Sequence, residues 1–222
     1  MLNYDEFIER VNEAGFCTPF ANYIGSDADE QSYSGDPDTD PRVWRTRATQ
    51  EKKLACGYYF NGKPGYVAPH YASIFVDAFR PRMTMEERYE SGKLNHYEWL
   101  IWTILIGARR PLGWHEIWQH AGIKTKDERR LLEAALKRLQ MSFDVTISGE
   151  IDMTSKTGEV YAQCIGYELF DTWVPAEWMK MNPRMEHKEA LEIIFRQAEK
   201  ISNFGEAQKA FRQSLKIHEC FA

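Results

Sequence analysis

Residues 114–149 read WHEIWQHAGIKTKDERRLLEAALKRLQMSFDVTISG, and the spacing of apolar residues changes character inside this stretch. Trp114, Ile117, Trp118 and Ala121 recur at helical intervals, and Gly122 follows as a natural C-terminal stop. Thr125 and Glu128 have the capping-box spacing and open a longer helix to about Gln140. Its apolar stripe is Leu131, Leu132, Ala135, Leu136 and Leu139. From Phe143 the period falls to two: Phe143, Val145 and Ile147 point one way, Asp144, Thr146 and Ser148 the other, and Gly149 bends the chain.

Working outward, Leu94 to Ala108 predicts a strongly apolar helix, joined to the short one by the tight connection Arg109 to Gly113. Beyond Gly149, a polar link from Glu150 to Gly158 leads to a second extended run, Val160 to Phe170. Helix, short helix, longer helix and hairpin follow one another in the order of a winged helix-turn-helix. The expected fold class is therefore α+β, mostly helical, a winged helix-turn-helix with added N- and C-terminal helices. Three segments follow: 1–92, a helical region with an acidic loop; 93–175, the winged helix; and 176–222, the C-terminal helices.

In the first segment, Tyr4, Phe7, Ile8 and Val11 predict a helix ended by Gly15. Residues 25–41 are rich in Asp, Ser, Gly and Pro and read as a loop, either solvated or lying over a basic surface. Asp40-Pro41 then has the form of an N-cap and first helical position, and the helix is expected to run to Asn61-Gly62. Pro64, Gly65 and Pro69 read as a turn, followed by helices from His70 to Phe79 and from Thr84 to Tyr89. In the last segment, Leu191, Ile194, Ala198 and Ile201 predict one helix, and Glu206 to about His218 another.

Composition narrows the function classes. No apolar run reaches the roughly 20 residues that cross a bilayer, and the first 16 residues are acidic and amphipathic rather than an export signal. The four cysteines are far apart with no Cys-x-x-Cys pair, which points to reduced thiols, a cytoplasmic setting and no zinc site. His115 and His120 are five apart and do not share a helix face, so neither a metal nor a cofactor is expected. Seven Trp, eleven Tyr and twelve Phe supply either a large core or a stacking surface. The net charge of −5 is uneven: residues 1–42 hold ten acids against Arg10 and Arg42, a balance of −8, leaving +3 for the rest. Global acidity counts against a strong nucleic-acid binder, since phosphate neutralisation supplies most non-specific affinity, and the asymmetry softens that objection.

Two sets of residues carry candidate chemistry. In a helix-turn-helix the third helix enters the major groove N-terminal end first. Here that end offers Lys124, Thr125, Lys126, Arg129 and Arg130, with Lys156 near the tip of the hairpin to touch the adjacent backbone. The same residues also suit an ordinary solvated helix start, so double-stranded DNA and a protein partner both stand as ligands. The second set is Asp38, Asp40, Trp44, Arg47 and Glu51, a candidate pocket of carboxylates and an indole near a helix start. Asp40 as N-cap and Trp44 as core are the competing assignments.

The run GDPDTDPRVWR at 35–45, with Leu139-Gln140-Met141 leading into Val145-Thr146-Ile147-Ser148-Gly149, resembles bacterial proteins described as AlkZ-related. The resemblance spans residues 1–175 and implies kinship with winged-helix DNA glycosylases that excise alkylated or cross-linked bases. Their catalytic signature is Gln-x-Gln, and this chain has none; Gln50, Gln119 and Gln140 stand alone. No catalytic residue carries over. The resemblance implies a fold and a role on DNA, either as a DNA-binding protein linked to repair or as a divergent glycosylase.

Overall fold

A computed structural model describes residues 3–17, 35–60, 62–154 and 157–201. In chain order the elements are α1 (Tyr4–Ala14), β1 (Phe16–Cys17), α2 (Pro41–Gln50), β2 (Ala55–Phe60), β3 (Lys63–Val67), α3 (Pro69–Phe79) and α4 (Met85–Glu90). There follow α5 (His96–Ala108), β4 (Leu112–Gly113), α6 (Trp114–His120), α7 (Lys126–Met141), β5 (Val145–Thr154) and β6 (Val160–Leu169). The short helix α8 (Phe170–Trp173), a 3-10 turn at Trp178–Lys180 and α9 (His187–Ile201) complete the described residues. The fold is α+β, and the strands form one antiparallel sheet in the order β1-β3-β2-β5-β6-β4. The pairing Cys56 with Ile147 joins the strands of 1–92 to those of 93–175.

The helix starts follow local chemistry. Asn3, Thr84, Asn95 and Thr125 each accept a bond from the amide three residues on, and a Glu at that position reaches back to the cap amide. Asp40 caps α2 through the amide of Arg42, with Pro41 in the first turn. The amphipathic α7 buries Leu132, Ala135, Leu136 and Leu139 against α5 and the sheet. Leu131 is 53% exposed, although the sequence placed it in the inward stripe. It lies one position off the true stripe, on the solvent side.

The expected helix from Pro41 to Asn61 ends early. After Gln50 the chain takes a left-handed turn at Lys52 (φ 55°), a conformation usually given to glycine, and residues 55–60 become a strand. Tyr and Phe favour that strand, while Leu54 and Tyr58 mimic helical spacing in the sequence. The expected turn at Pro64-Gly65 is also strand. Gly65 is there for packing: a Cβ would lie 2.1 Å from the Phe60 ring and 2.9 Å from the Cys17 carbonyl oxygen. Pro64 sits next to the first residue of β3, where a missing N–H is tolerated. The remaining described helices lie where the sequence placed them, to within about two residues. The hairpin departs from expectation in its first arm: β5 passes through Gly149 and continues to Thr154, so residues 150–154, read as part of a polar link, pair with β6.

Three clusters fill the interior. One gathers Phe75, Phe143, Phe170 and Trp173 between α3, α9 and the sheet; the second packs Tyr4, Phe7 and Trp44; the third lies under α5, α6 and α7. Residues 25–34 of the acidic loop, the expected helix from Glu206 and Lys156 lie outside the described residues.

Candidate nucleic-acid interface

The capping box that starts α7 also fixes its basic end. Thr125 Oγ1 accepts from the Glu128 amide at 3.2 Å, and Glu128 Oε2 accepts from the Thr125 amide at 3.0 Å and its hydroxyl at 2.8 Å. The Thr125 hydroxyl bond, with those from the Thr125 and Lys124 amides, holds the Glu128 carboxyl below its ordinary value. Both residues are thus satisfied locally, and the cations around them project outward. Lys124, Lys126, Arg129 and Arg130 are all exposed. The Arg129 guanidinium lies 4.3 Å from the centre of the Trp118 ring on α6, which orients it without neutralising it. Arg130 stands 3.7 Å from Asp127 in a pair exposed on both sides, a contact worth at most about 1 kcal/mol.

Three exposed apolar side chains belong to α7 and the hairpin. Leu131 on α7, and Val160 and Tyr161 at the start of β6, are 53%, 56% and 62% exposed. Sequence reasoning had put Leu131 inside and had read Val160 and Tyr161 only as part of an extended run. No periodicity distinguishes an exposed apolar residue at a strand end from a buried one.

The second candidate set is divided by the structure. Asp40 is 1% exposed and accepts from the Gly35 and Arg42 amides, both at 2.9 Å, and from the Arg42 guanidinium at 2.7 and 3.1 Å. The Arg42 side chain, more than any other neighbour, holds that carboxyl well below the usual range. Trp44 is 2% exposed and stacks on Phe7 with ring centres 4.9 Å apart. Asp38, Arg47 and Glu51 do come together: Arg47 donates to Asp38 at 2.7 Å and to Glu51 at 2.9 Å, and lies 3.9 Å from the centre of the Tyr4 ring. The Tyr4 hydroxyl donates to Glu51 at 2.9 Å, and Lys53 approaches the same carboxylate at 3.1 Å. Burial pushes Glu51 up, but the bonds from Arg47, Tyr4 and Lys53 together leave it lowered. The network clamps α1 to α2.

A larger opening lies where no motif pointed. A cavity of about 470 Å³ is walled by Tyr58 of β2, Trp114 and His115 of α6, Glu133, Lys137 and Gln140 of α7, and Tyr167 of β6. Gln140 is fully buried; its Oε1 accepts from the Tyr58 amide and its Nε2 donates to the Leu136 carbonyl, each at 3.2 Å. Lys137 Nζ lies 3.0 Å from Glu133 and 5.2 Å from the centre of the Tyr58 ring. Burial, with Tyr58 close by, pushes the Tyr167 hydroxyl up to about 12. Lys126, Arg130, Glu133 and Lys137 are spaced i, i+4, i+7, i+11, so one side of α7 runs from the basic end to this cavity. That spacing was available in the sequence; the strand that brings Tyr58 was not.

Among the described residues no three His, Cys, Asp or Glu side chains group as a metal site, and no helix is long and apolar enough to cross a membrane. No curated protein and no solved structure matches the chain. A family model described as AlkZ related matches residues 1–216, a longer span than the 1–175 of the resemblance in the sequence. Covering nearly the whole length, that match establishes that the chain belongs to the AlkZ-related family.

Proposed function

We propose that the chain binds double-stranded DNA through a winged helix spanning 93–175, with α7 in the major groove and the β5–β6 hairpin as the wing. The observation that carries this reading is the element order α5-β4-α6-α7-β5-β6 with β6 paired to both β4 and β5. Four exposed cations at the leading end of α7 support it. Lys124 and Lys126 then neutralise phosphates, Arg129 and Arg130 reach phosphate or a guanine edge, Thr125 sets the helix end, and Lys156 meets the neighbouring backbone. Segments 1–92 and 176–222 are additions to this module. Family membership favours a role linked to DNA repair, and the unpaired thiols Cys17, Cys56 and Cys164 favour a cytoplasmic setting.

Fluorescence anisotropy with a labelled duplex across a salt series tests the proposal. If the four cations and Lys156 each neutralise one phosphate, log K falls with log salt at a slope of about −4.5, and Arg129→Ala with Arg130→Ala reduces it by about 1.8. Between 50 and 200 mM salt that means a loss of about 500-fold for the wild type and about 40-fold for the variant. An unchanged slope removes α7 from the interface. No binding at low salt favours a protein partner instead.

A second reading, a divergent glycosylase, is favoured by the aromatic-walled cavity at the far end of the same side of α7. Its volume falls within the roughly 300–1,000 Å³ of small-ligand pockets, and base excision requires an extruded base beside a polar group. Glu133, paired with Lys137 at 3.0 Å, is the carboxylate lining this cavity, and Asp38 and Asp40 are not among its walls. Base release from alkylated duplexes by the wild type, lost in Glu133→Gln and kept in Asp38→Asn, supports this reading. Absence of release by the wild type, or release unaffected by Glu133→Gln, overturns it.

A further inference from the structure

The outer side of α5 has no use in the readings above, and its composition is unusual for a helix facing solvent. Trp99, Trp102 and Ile106 recur at i, i+3 and i+7 along the side flanking the buried Ile101 and Leu105; the two indoles are half-buried against the core and Ile106 is exposed. Tyr89 of α4 extends the patch: its ring stacks on Trp99 at 4.8 Å and 12°, and Trp99 meets Trp102 at 5.0 Å. Tyr89 is 38% and Ile106 44% exposed.

Charge identifies what approaches. Beside Tyr89, at the N-terminal end of the patch, Glu86 and Glu90 are exposed; at the other end stands exposed Arg109. These three have no ion-pair partner among the described residues. A patch that is acidic at one end, apolar in the middle and basic at the other complements itself when a second copy lies antiparallel. We infer that the chain pairs with a second copy of itself, two α5 helices crossing antiparallel through Trp99, Trp102 and Ile106, with Arg109 of each copy against Glu86 and Glu90 of the other. A two-fold contact of this kind uses the same patch twice, and antiparallel helices oppose their dipoles. The face is about 20 Å long, small against the roughly 800 Å² per partner of a standard interface. The association is therefore weak and concentration-dependent. It stands apart from the DNA reading.

Sedimentation equilibrium of the full chain from about 1 to about 300 μM is the test. The average mass of the wild type is expected to rise from that of one chain toward that of two. Ile106→Glu, at a solvent-facing position, is expected to weaken association at least about tenfold with far-UV circular dichroism and thermal melting unchanged. Arg109→Glu is expected to weaken it as well, and Glu90→Arg added to Arg109→Glu to restore it, since the swapped charges meet again across the two-fold. A wild type that stays monomeric throughout overturns the inference, as does association indifferent to both Ile106→Glu and Arg109→Glu. Failure of the double swap to restore association overturns the antiparallel arrangement.

Discussion

Replacing Asp144 with alanine is expected to cost about 3–5 kcal/mol of folding stability, the range for breaking a buried ion pair from one side. Asp144 lies in the short link between α7 and β5, with its side chain 7% exposed. Its Oδ2 accepts from Arg88 at 2.8 Å and from the Ser142 hydroxyl at 2.5 Å. Arg80 Nε stands 3.7 Å from Oδ1, but Arg80 keeps Asp171 at 2.7 Å and the Phe143 carbonyl when Asp144 is removed. Arg88 does not fare so well. It is as enclosed as Asp144 and would retain only the Met85 sulfur at 3.1 Å. The loss is therefore set by an uncompensated guanidinium rather than by the missing contact. For a chain of this length the melting temperature should fall by about 6–20 °C. Urea unfolding followed by tryptophan fluorescence should show a lower midpoint and an unchanged m value. Combining Arg88→Met with Asp144→Leu should recover most of the loss, because no charge is left buried. A loss under about 1 kcal/mol for Asp144→Ala, or a double variant as unstable as the single one, refutes the reasoning.

Three further outcomes follow from the same geometry. Asp40 has a folded carboxyl lowered by Arg42, so its contribution is present above about pH 4 and lost as pH falls. Asp40→Asn should lower the urea midpoint at neutral pH and flatten its decline below about pH 4, and parallel declines would count against the assignment. Trp44→Ala should cost about 3–5 kcal/mol and Trp44→Phe much less, measured by the same unfolding, since the indole fills core against Phe7; equal losses would mean that packing is not its role. Gly65→Ala should cost at least about 1–3 kcal/mol, because one of the atoms it meets, the Cys17 carbonyl oxygen at 2.9 Å, belongs to the backbone; a neutral variant would show that β1 can shift.

What the sequence made legible was local. Thr125 with Glu128, Thr84 with Glu87 and Asp40 before Pro41 are caps whose partners lie within a turn, and the structure uses each as a cap. The alternation holds only in part: Phe143 takes a left-handed turn (φ 57°) ahead of β5, and Thr146, read as facing away from Val145 and Ile147, is fully buried because its hydroxyl meets Tyr59 at 2.8 Å and donates to the Cys56 carbonyl. The boundary at Lys52 was not legible, because a lysine in left-handed conformation leaves no mark in the sequence. Lys52 is held there from afar: its Nζ donates to the Trp173 carbonyl at 2.7 Å and lies 4.2 Å from the centre of the Trp173 ring. The basic end of α7 was legible because its four cations are nearly consecutive. The cavity was not, since its walls come from β2, α6, α7 and the hairpin, and only the pairing of β2 with β5 brings them together.

The glutamines bear on how far kinship with the glycosylases extends. Gln140 is wholly buried and uses both ends of its amide, on Tyr58 and on Leu136. It holds the C-terminal half of α7 to β2. Gln119 meets His115 at 2.7 Å, Gln163 donates to Asp152, and Gln197 donates to the Ala14 carbonyl. Each of these four amides is engaged by a different partner, and none of the four pairs with another glutamine. DNA binding makes no demand on them. It needs only that the basic end of α7 be presented rigidly, and the helix meets that condition: capped at Thr125, packed along Leu132 to Leu139 and tied at Gln140 to a strand of the same sheet as the hairpin.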